Sequence, residues 1–329
     1  MTRIKQFLGN KAWLSPMEGV SDLGFRTICH NLGADLTFTE MIRASALIKE
    51  NKSTLDLVDA FDSSVPTGIQ LFVTKKEVLK KALGMIKCGI DNCDGRFSNL
   101  SVIDLNFGCP SEEIIRVGGG PAMLKRINKM REILTVLKAE SPLPCGIKIR
   151  LGMNNLEKKQ KVHMRVLNIV NELQLDYMIV HSKVATDRSD APIDLFALSE
   201  IIQNSEIPIV GNGFVKSGES AKQMFDLGCK AVMIARESTV NPFVFEDIKN
   251  YLAGRAVIRR TNKDYETIFQ EYKTIAKGDL KESLRENEKI NGNNYETKEK
   301  FYNYHKRIFE LRIKGDRKYH APSEIMNWL

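Results

Sequence analysis

Cys109 is the side chain best placed to do proton or covalent chemistry. It lies in Leu105-Asn106-Phe107-Gly108-Cys109-Pro110-Ser111, just past an apolar run and between a glycine and a proline. A turn of that composition presents its side chain at the end of a strand. An unperturbed thiol has a pKa of about 8.5, so near neutral pH it is mostly protonated and donates a proton without an activating partner. A nucleophilic role would need a base or a depressed pKa. A third reading is a buried structural cysteine, the usual fate of a free thiol. The run Gly118-Gly119-Gly120 follows. With no strand directly before it, we expect a flexible flap beside Cys109 rather than a phosphate cradle.

The six cysteines, at 29, 88, 93, 109, 145 and 229, have neither the density nor the spacing of a disulfide framework. Cys88 and Cys93 lack a second Cys/His pair at zinc spacing, so no metal is expected. Reduced thiols fit the cytosol. The first residues, MTRIKQFLGNKAW, lack the apolar stretch of a secretory signal, and no apolar run reaches membrane-spanning length. A cytoplasmic protein with no membrane contact, monomeric as the simplest case, is the expectation.

Positioning such residues requires a scaffold. Eight short apolar, β-rich runs recur: Ala12–Met17, Ala34–Met41, Thr67–Val73, Ser101–Phe107, Cys145–Leu151, Tyr177–His181, Ile207–Gly211 and Ala231–Arg236. Helix-length segments separate most of them. Lys75–Lys87 carries Val78, Leu79, Ala82, Leu83 and Ile86 on one face, Val162–Leu173 is similar, and Ser217 and Gly228 bracket a third helix. Near-continuous apolar strands alternating with helices imply a parallel sheet buried on both faces. The fold expected is α/β: a (β/α)8 TIM barrel followed by a small C-terminal all-α domain. The rival, a doubly wound open sheet, lacks its GxGxxG fingerprint after the first strand, and no GxxxxGK[ST] loop occurs. A barrel carries its chemistry where strands run out. Here they end in SPMEGVSD, TEM, IQLF, LNFGCPS, IKIRLG, VHSK, GNGF and IARES, all polar or glycine-rich.

The pattern changes near residue 250. Residues 253–329 hold 17 Lys/Arg against 12 Asp/Glu, and six of the eight tyrosines. That local excess of basic charge, within a chain of net charge +8, permits a polyanionic partner. Asp264–Lys277, Asp279–Lys289 and Tyr295–Lys314 read as helices, with a break at Asn291-Gly292. The expected division is a catalytic barrel over residues 1–245 and a helical domain over 246–329.

Taken in order, SPMEGVSDLGFR, TEMIRASAL, NFGCPS, GGGPAML, IKIRLG, VHSK, VGNGFV and MIARESTVNPFVF resemble the motifs of the tRNA-dihydrouridine synthases. These are flavin enzymes of the TIM-barrel class, and the likeness runs from residue 13 to about 245. It implies FMN held by Pro16, Met17, Glu18, Gln70, Lys148 and His181. Its phosphate would fall to Asn212, Gly213, Phe214, Ala235 and Arg236, after the seventh and eighth strands. An amide suits a ring bearing C=O and N–H groups, and a lysine suits its electron-rich edge. Asn106, Arg150 and Lys183 are implied on the substrate side, with Ser182-Lys183 standing where the family commonly has Gly-Arg.

The resemblance also implies a reaction. NADPH or NADH reduces FMN, hydride passes from flavin N5 to C6 of a uracil ring, and Cys109 gives a proton to C5. The uridine of a folded tRNA must be extruded to reach the barrel mouth. The helical domain would then hold the RNA backbone, through Lys306, Arg307, Arg312, Lys314, Arg317 and Lys318, with Tyr302, Tyr304 and Tyr319 available to stack on bases. Two alternatives remain at this point. One is an FMN-dependent dehydrogenase of dihydropyrimidine or dihydroorotate type acting on a free pyrimidine. The other is a non-catalytic RNA-binding barrel.

Overall fold

The computed structural model describes residues 3–59, 64–92, 97–287, 294–322 and 324. Eight strands make one parallel sheet: β1 (Lys11–Leu14), β2 (Thr37–Arg43), β3 (Thr67–Phe72), β4 (Leu100–Phe107), β5 (Cys145–Arg150), β6 (Tyr177–His181), β7 (Ile209–Asn212) and β8 (Ala231–Ile234). The order is β1-β8-β7-β6-β5-β4-β3-β2, so β3 to β7 each lie between their neighbours in sequence and β8 pairs with β1. The ring closes just ahead of β2, where Leu14 N–H donates to Leu36 O and Asp35 N–H to Ala12 O, each at 2.8 Å. This is the TIM barrel with C-terminal helices that the alternation of elements implies.

Burial explains why the strands read as apolar runs. All residues of β3, β7 and β8 are buried, as a sheet covered on both faces requires. Trp13, Phe38, Val102, Tyr177, Ile179, Val210 and Met233 fill the barrel, and Ile4 and Phe7 join that cluster. Trp13 keeps its indole N–H satisfied by donating to Phe7 O at 2.8 Å. A larger apolar layer lies between strands and helices. The helix Lys76–Asp91 buries Leu79, Ala82, Leu83 and Ile86, the face its spacing marks. Ser217 caps the helix Gly218–Leu227, and Gly228 ends it in the left-handed region at φ 112°. β1 stops short of its expected end, because Pro16 has no N–H to continue the ladder.

One expectation fails here. Gly118-Gly119-Gly120 is not a flexible flap: all three glycines are buried. A Cβ on Gly119 would lie 2.2 Å from the Phe72 ring, and one on Gly120 2.5 Å from Cys109 O. The glycines permit close packing under the cysteine turn.

Barrel packing continues through the helix Val244–Leu252, which buries Val244, Phe245 and Ile248. After a coil come two long helices, Asn262–Asn287 and Asn294–Ile313. The first runs unbroken through Gly278, where two helices were expected; the expected break at 291–292 lies outside the described residues. The pair docks on the first barrel helix, Leu23–Asn31, through a separate core of Ile28, Phe243, Tyr265, Ile268, Phe269, Tyr272, Ala276 and Phe309. Polar ties reinforce the contact. Tyr272 Oη donates to Asp22 Oδ2 at 3.0 Å, and His305 Nε2 lies 2.8 Å from Val20 O. The tail therefore abuts the loop after β1, at the mouth of the barrel.

Candidate active site

The parallel register sets a row of polar residues along one end of the sheet. Gln70 pairs with Asp104, Asn106 with Lys148, Arg150 with His181, and His181 with Asn212. Four of these strands form a hydrogen-bonded or charge-coupled network. Asp104 Oδ2 accepts from Gln70 Nε2 at 2.7 Å, and Gln70 Oε1 accepts from Asn106 Nδ2 at 2.7 Å. Asn106 Oδ1 in turn accepts the backbone N–H groups of Gly108 at 3.0 Å and Cys109 at 2.9 Å. The turn is braced from the next strand, where Arg150 Nε donates to Gly108 O at 2.8 Å.

Charges around this turn set its chemistry. Burial pushes the Cys109 thiol above its ordinary pKa, and the Glu18 carboxylate adds to that, against a Ser111 N–H and the cations Lys148 and Arg150. Near neutral pH the group is a thiol. Lys148 is lowered to about 8, first by burial and then by Arg150, with Asp104 and Cys109 acting the other way. Its ammonium has no hydrogen-bond acceptor among the described residues. His181 is held neutral chiefly by burial and then by Lys148, Arg150, Lys183 and Arg236. A neutral imidazole offers one donor and one acceptor.

At His181 opens a cavity of about 410 Å³, lined also by Asn212, Gly213, Phe214, Ala235 and Arg236 and by Lys216, Arg317 and Tyr319. Gly213 (φ 106°) and Phe214 (φ 57°) both adopt left-handed backbone there. A Cβ on Gly213 would sit 2.7 Å from His181 Cδ2, so only glycine lets the turn lie against that ring. Lys183 and Lys216 flank the Phe214 ring at 5.2 and 4.7 Å. Arg236 Nη2 donates to Ser189 O at 2.9 Å.

Residues 13–318 match the family model described as Dihydrouridine synthase (Dus). The chain belongs to the dihydrouridine synthase family. It is an oxidoreductase on that ground, since forming dihydrouridine saturates a carbon–carbon double bond. Among similar proteins is tRNA-dihydrouridine synthase B of Klebsiella pneumoniae, 26% identical over 247 residues, or 74% of this chain and 73% of that one. A probable tRNA-dihydrouridine synthase of Helicobacter pylori is 27% identical over 246 residues, 73% and 71% of the two chains. Among solved structures, morphinone reductase superposes with a TM-score of 0.52 at 12% identity, covering 77% of this chain and 88% of that one. That likeness is one of barrel fold.

Within this dihydrouridine synthase the expected site residues fall into distinct groups. Gln70, Asn106, Cys109, Lys148 and His181 share the strand-end row, and Asn212, Gly213, Phe214, Ala235 and Arg236 share the cavity. Pro16 and Met17 are half-buried in the loop after β1, where Met17 N–H donates to Ser21 Oγ at 3.0 Å. Glu18 is exposed and borders a smaller cavity of about 240 Å³, shared with Glu40, Arg43, Ser111 and Glu113. Arg150 spends its guanidinium on Gly108 O and Val184 O. Lys183 is buried, and its ammonium donates to Arg188 O at 3.0 Å and Ser189 O at 3.1 Å. Both therefore shape the site's loops.

Two tail expectations are corrected. Arg312 is wholly buried and donates to Thr239 O, Asp316 O and Lys318 O, so it cannot reach an RNA phosphate. Tyr304 is buried in the core and its hydroxyl donates to His320 O at 3.2 Å, so it cannot stack on a base. Lys306, Lys314 and Lys318 are exposed, Arg307 is half-buried and pairs with Glu310 at 3.6 Å, and Arg317 lines the cavity. Cys88 is exposed, and Cys93 lies outside the described residues. No helix among the described residues is long and apolar enough to cross a membrane.

Sequence reading missed the two buried carboxyl groups on the strands. Asp104 is raised to about 7 by burial, although Gln70, Lys148 and Tyr177 pull it down. Glu40 is raised to about 8, mainly by burial, while accepting the Gly19 N–H. A signal for Asp104 existed: it lies two residues before Asn106 in an otherwise apolar strand, hence on the same face.

Proposed function

We propose that this chain reduces the C5–C6 double bond of a uridine in tRNA, with FMN as cofactor and a reduced nicotinamide nucleotide, NADPH or NADH, as electron source. It acts in the cytoplasm and as a monomer. The observation that carries the reading is the Cys109 turn, fixed through Asn106 on the strand beside Lys148, at the same strand ends as a cation-lined cavity.

The residues present fit a flavin mononucleotide. The Lys148 ammonium, which has no hydrogen-bond acceptor among the described residues, suits the electron-rich edge of the ring, and neutral His181 offers one donor and one acceptor. Gln70, fully buried with its amide bonded to Asp104 and Asn106, acts by orienting Asn106. Arg236, Lys216 and the glycine turn at 213 suit a phosphate. Bound there, FMN supplies the hydride that goes to C6, drawn from the nicotinamide nucleotide. Cys109 gives its Sγ proton to C5, which completes the saturation of the ring. The thiolate left behind is favoured by the charges of Lys148 and Arg150 and regains a proton from solvent. Asn106 holds the turn so that the thiol keeps one position through the cycle. Extruding the base from folded RNA costs a few kcal/mol, offset by contacts in the site and along the backbone. Exposed Lys306 and Lys314, with Arg307, are our candidates for the phosphate contacts.

Purified chain given NADPH and unmodified tRNA should yield uridine heavier by two hydrogens on mass spectrometry, and free uracil should remain unchanged. Conversion of uracil but not tRNA would favour the free-pyrimidine alternative. No conversion of either, with tRNA bound, would leave only an RNA-binding role.

A further inference from the structure

The cavity has a wall that does not come from the barrel. Asn212–Lys216 and the short helix Arg236–Val240 form one side, and Arg317 and Tyr319, from beyond the last long helix, form the other. We propose that the segment 314–320 completes the phosphate end of the cofactor site. Arg317 is a further phosphate-binding residue, and Tyr319 is the residue that positions Arg236. The ligand is a flavin phosphate monoester, so the inference rests on the FMN reading and extends it to the tail.

Arg312 anchors this wall. Its buried guanidinium donates to Thr239 O at 3.1 Å, Asp316 O at 2.9 Å and Lys318 O at 2.6 Å. Thr239 belongs to the barrel helix on the cavity, and Asp316 and Lys318 flank Arg317. One side chain thus ties the barrel to both neighbours of the proposed ligand group. A buried cation is tolerated only when its donors are met, and here three backbone carbonyls meet them. The segment is also tied to itself, with Lys318 N–H donating to Asp316 Oδ1 at 2.8 Å and His320 Nε2 lying 3.0 Å from Asp316 Oδ2.

Arg317 is held in turn. Its guanidinium lies 4.1 Å over the Tyr265 ring, Nη1 donates to Arg312 O and, at 3.2 Å, to Asp316 O, and Nη2 is 3.4 Å from Asn262 Oδ1; Nε has no hydrogen-bond partner among the described residues and is the nitrogen left for an anion. The Tyr319 ring lies 5.9 Å from the Arg236 guanidinium, which Ser189 O holds on another edge. Charge on the lining favours an anion. Arg236, Arg317 and Lys216 face Asp190 and Glu237. Asp190 is paired with Arg188 at 3.1 Å, and burial pushes the Glu237 carboxyl up to about 7. A phosphate dianion therefore meets three cations against two acids, one already paired and the other only partly ionised near neutral pH.

The test compares FMN with riboflavin, which lacks the phosphate. The full chain, stripped of bound flavin, is titrated with each and binding is read from quenching of flavin fluorescence. Arg317→Ala should lose about tenfold in FMN affinity, the effect of one charge-assisted hydrogen bond, and keep its riboflavin affinity. Tyr319→Leu should weaken FMN in the same direction, and Tyr319→Phe should restore it, because the ring face is what Arg236 meets. Retained riboflavin binding shows that each variant is folded. FMN affinity within about twofold of wild type in Arg317→Ala would overturn the proposal. So would a wild-type chain that binds both flavins equally. A wild-type chain that binds neither would overturn the cofactor reading, and this inference with it.

Discussion

Asn106 Nδ2 donates to Gln70 Oε1 at 2.7 Å, and that bond joins a buried carboxyl group to the backbone of Cys109. Asp104 lies at one end and the Cys109 N–H at the other. The chain of bonds also fixes which way both amides face. Gln70 Nε2 meets an acceptor in Asp104, so its oxygen must turn to Asn106, and the Asn106 oxygen is left for the turn.

Asn106→Ala should therefore do more than remove a group that could touch the base. It strips the acceptor from two backbone N–H groups and leaves Gln70 Oε1 unpaired. Each such loss costs about 1–3 kcal/mol when buried. We expect a lower melting temperature and loss of dihydrouridine formation together. Asn106→Asp keeps the oxygen but sets a carboxylate against Gln70 Oε1, and should also destabilise. Melting curves unchanged in both variants would show that the bonds do not hold the turn.

Cys109→Ala removes the proposed proton donor with little change in packing, since the side chain is only half-buried. Flavin absorbance in the purified variant should match wild type, while dihydrouridine formation falls by about 100-fold or more, the usual scale of a missing general acid. The Cys109 pKa is raised, so wild-type turnover should persist into mildly alkaline solution and fall as the thiol ionises. Full turnover by the alanine variant would remove Cys109 from the chemistry.

Asp104 makes a prediction about pH and stability. Its folded pKa of about 7 lies above the ordinary carboxyl value of 3.8. Between those values the folded chain binds the proton more tightly than the unfolded chain does. The protonated group favours folding at low pH, and that contribution is lost as pH rises from about 4 through 7. Asp104→Asn keeps an oxygen for Gln70 and cannot ionise. Its melting temperature should fall less than that of wild type over this range and exceed it above pH 7. Removing the carboxylate should also lower the Lys148 pKa further, because Asp104 now supports that charge. Parallel melting curves for the two proteins across the range would refute the assignment.

The barrel was legible because its strands are buried on both faces and therefore read as apolar runs at regular spacing. Motif order likewise brought out Cys109, Lys148, His181 and Asn212, and the register then placed them at one end of the sheet. Less legible was what the polar side chains do with their hydrogen bonds. Lys183 and Arg150 look like groups free to meet a substrate, yet backbone carbonyls of nearby loops occupy them. Arg312 belongs to a basic run that reads as solvated, yet it is fully buried. Carbonyls two and three residues into a turn leave no trace in residue types, so a cation that satisfies them looks the same in sequence as one facing water.

The remaining basic residues of the tail carry the last prediction. Lys306 and Lys314 are exposed and lie on the helix Asn294–Ile313 or at its end. Among the described residues neither is bonded to a side chain that lines the cavity. Charge reversal at both, Lys306→Glu with Lys314→Glu, should weaken tRNA binding and leave flavin content unchanged. Each phosphate that is no longer neutralised should reduce the slope of log affinity against log salt by about 0.9 or less. The slope is the informative quantity: weaker binding at an unchanged slope would point to disturbed packing rather than to fewer neutralised phosphates. Filter binding over a range of salt concentrations measures both, and an unchanged affinity would move the RNA footprint to another face of the molecule.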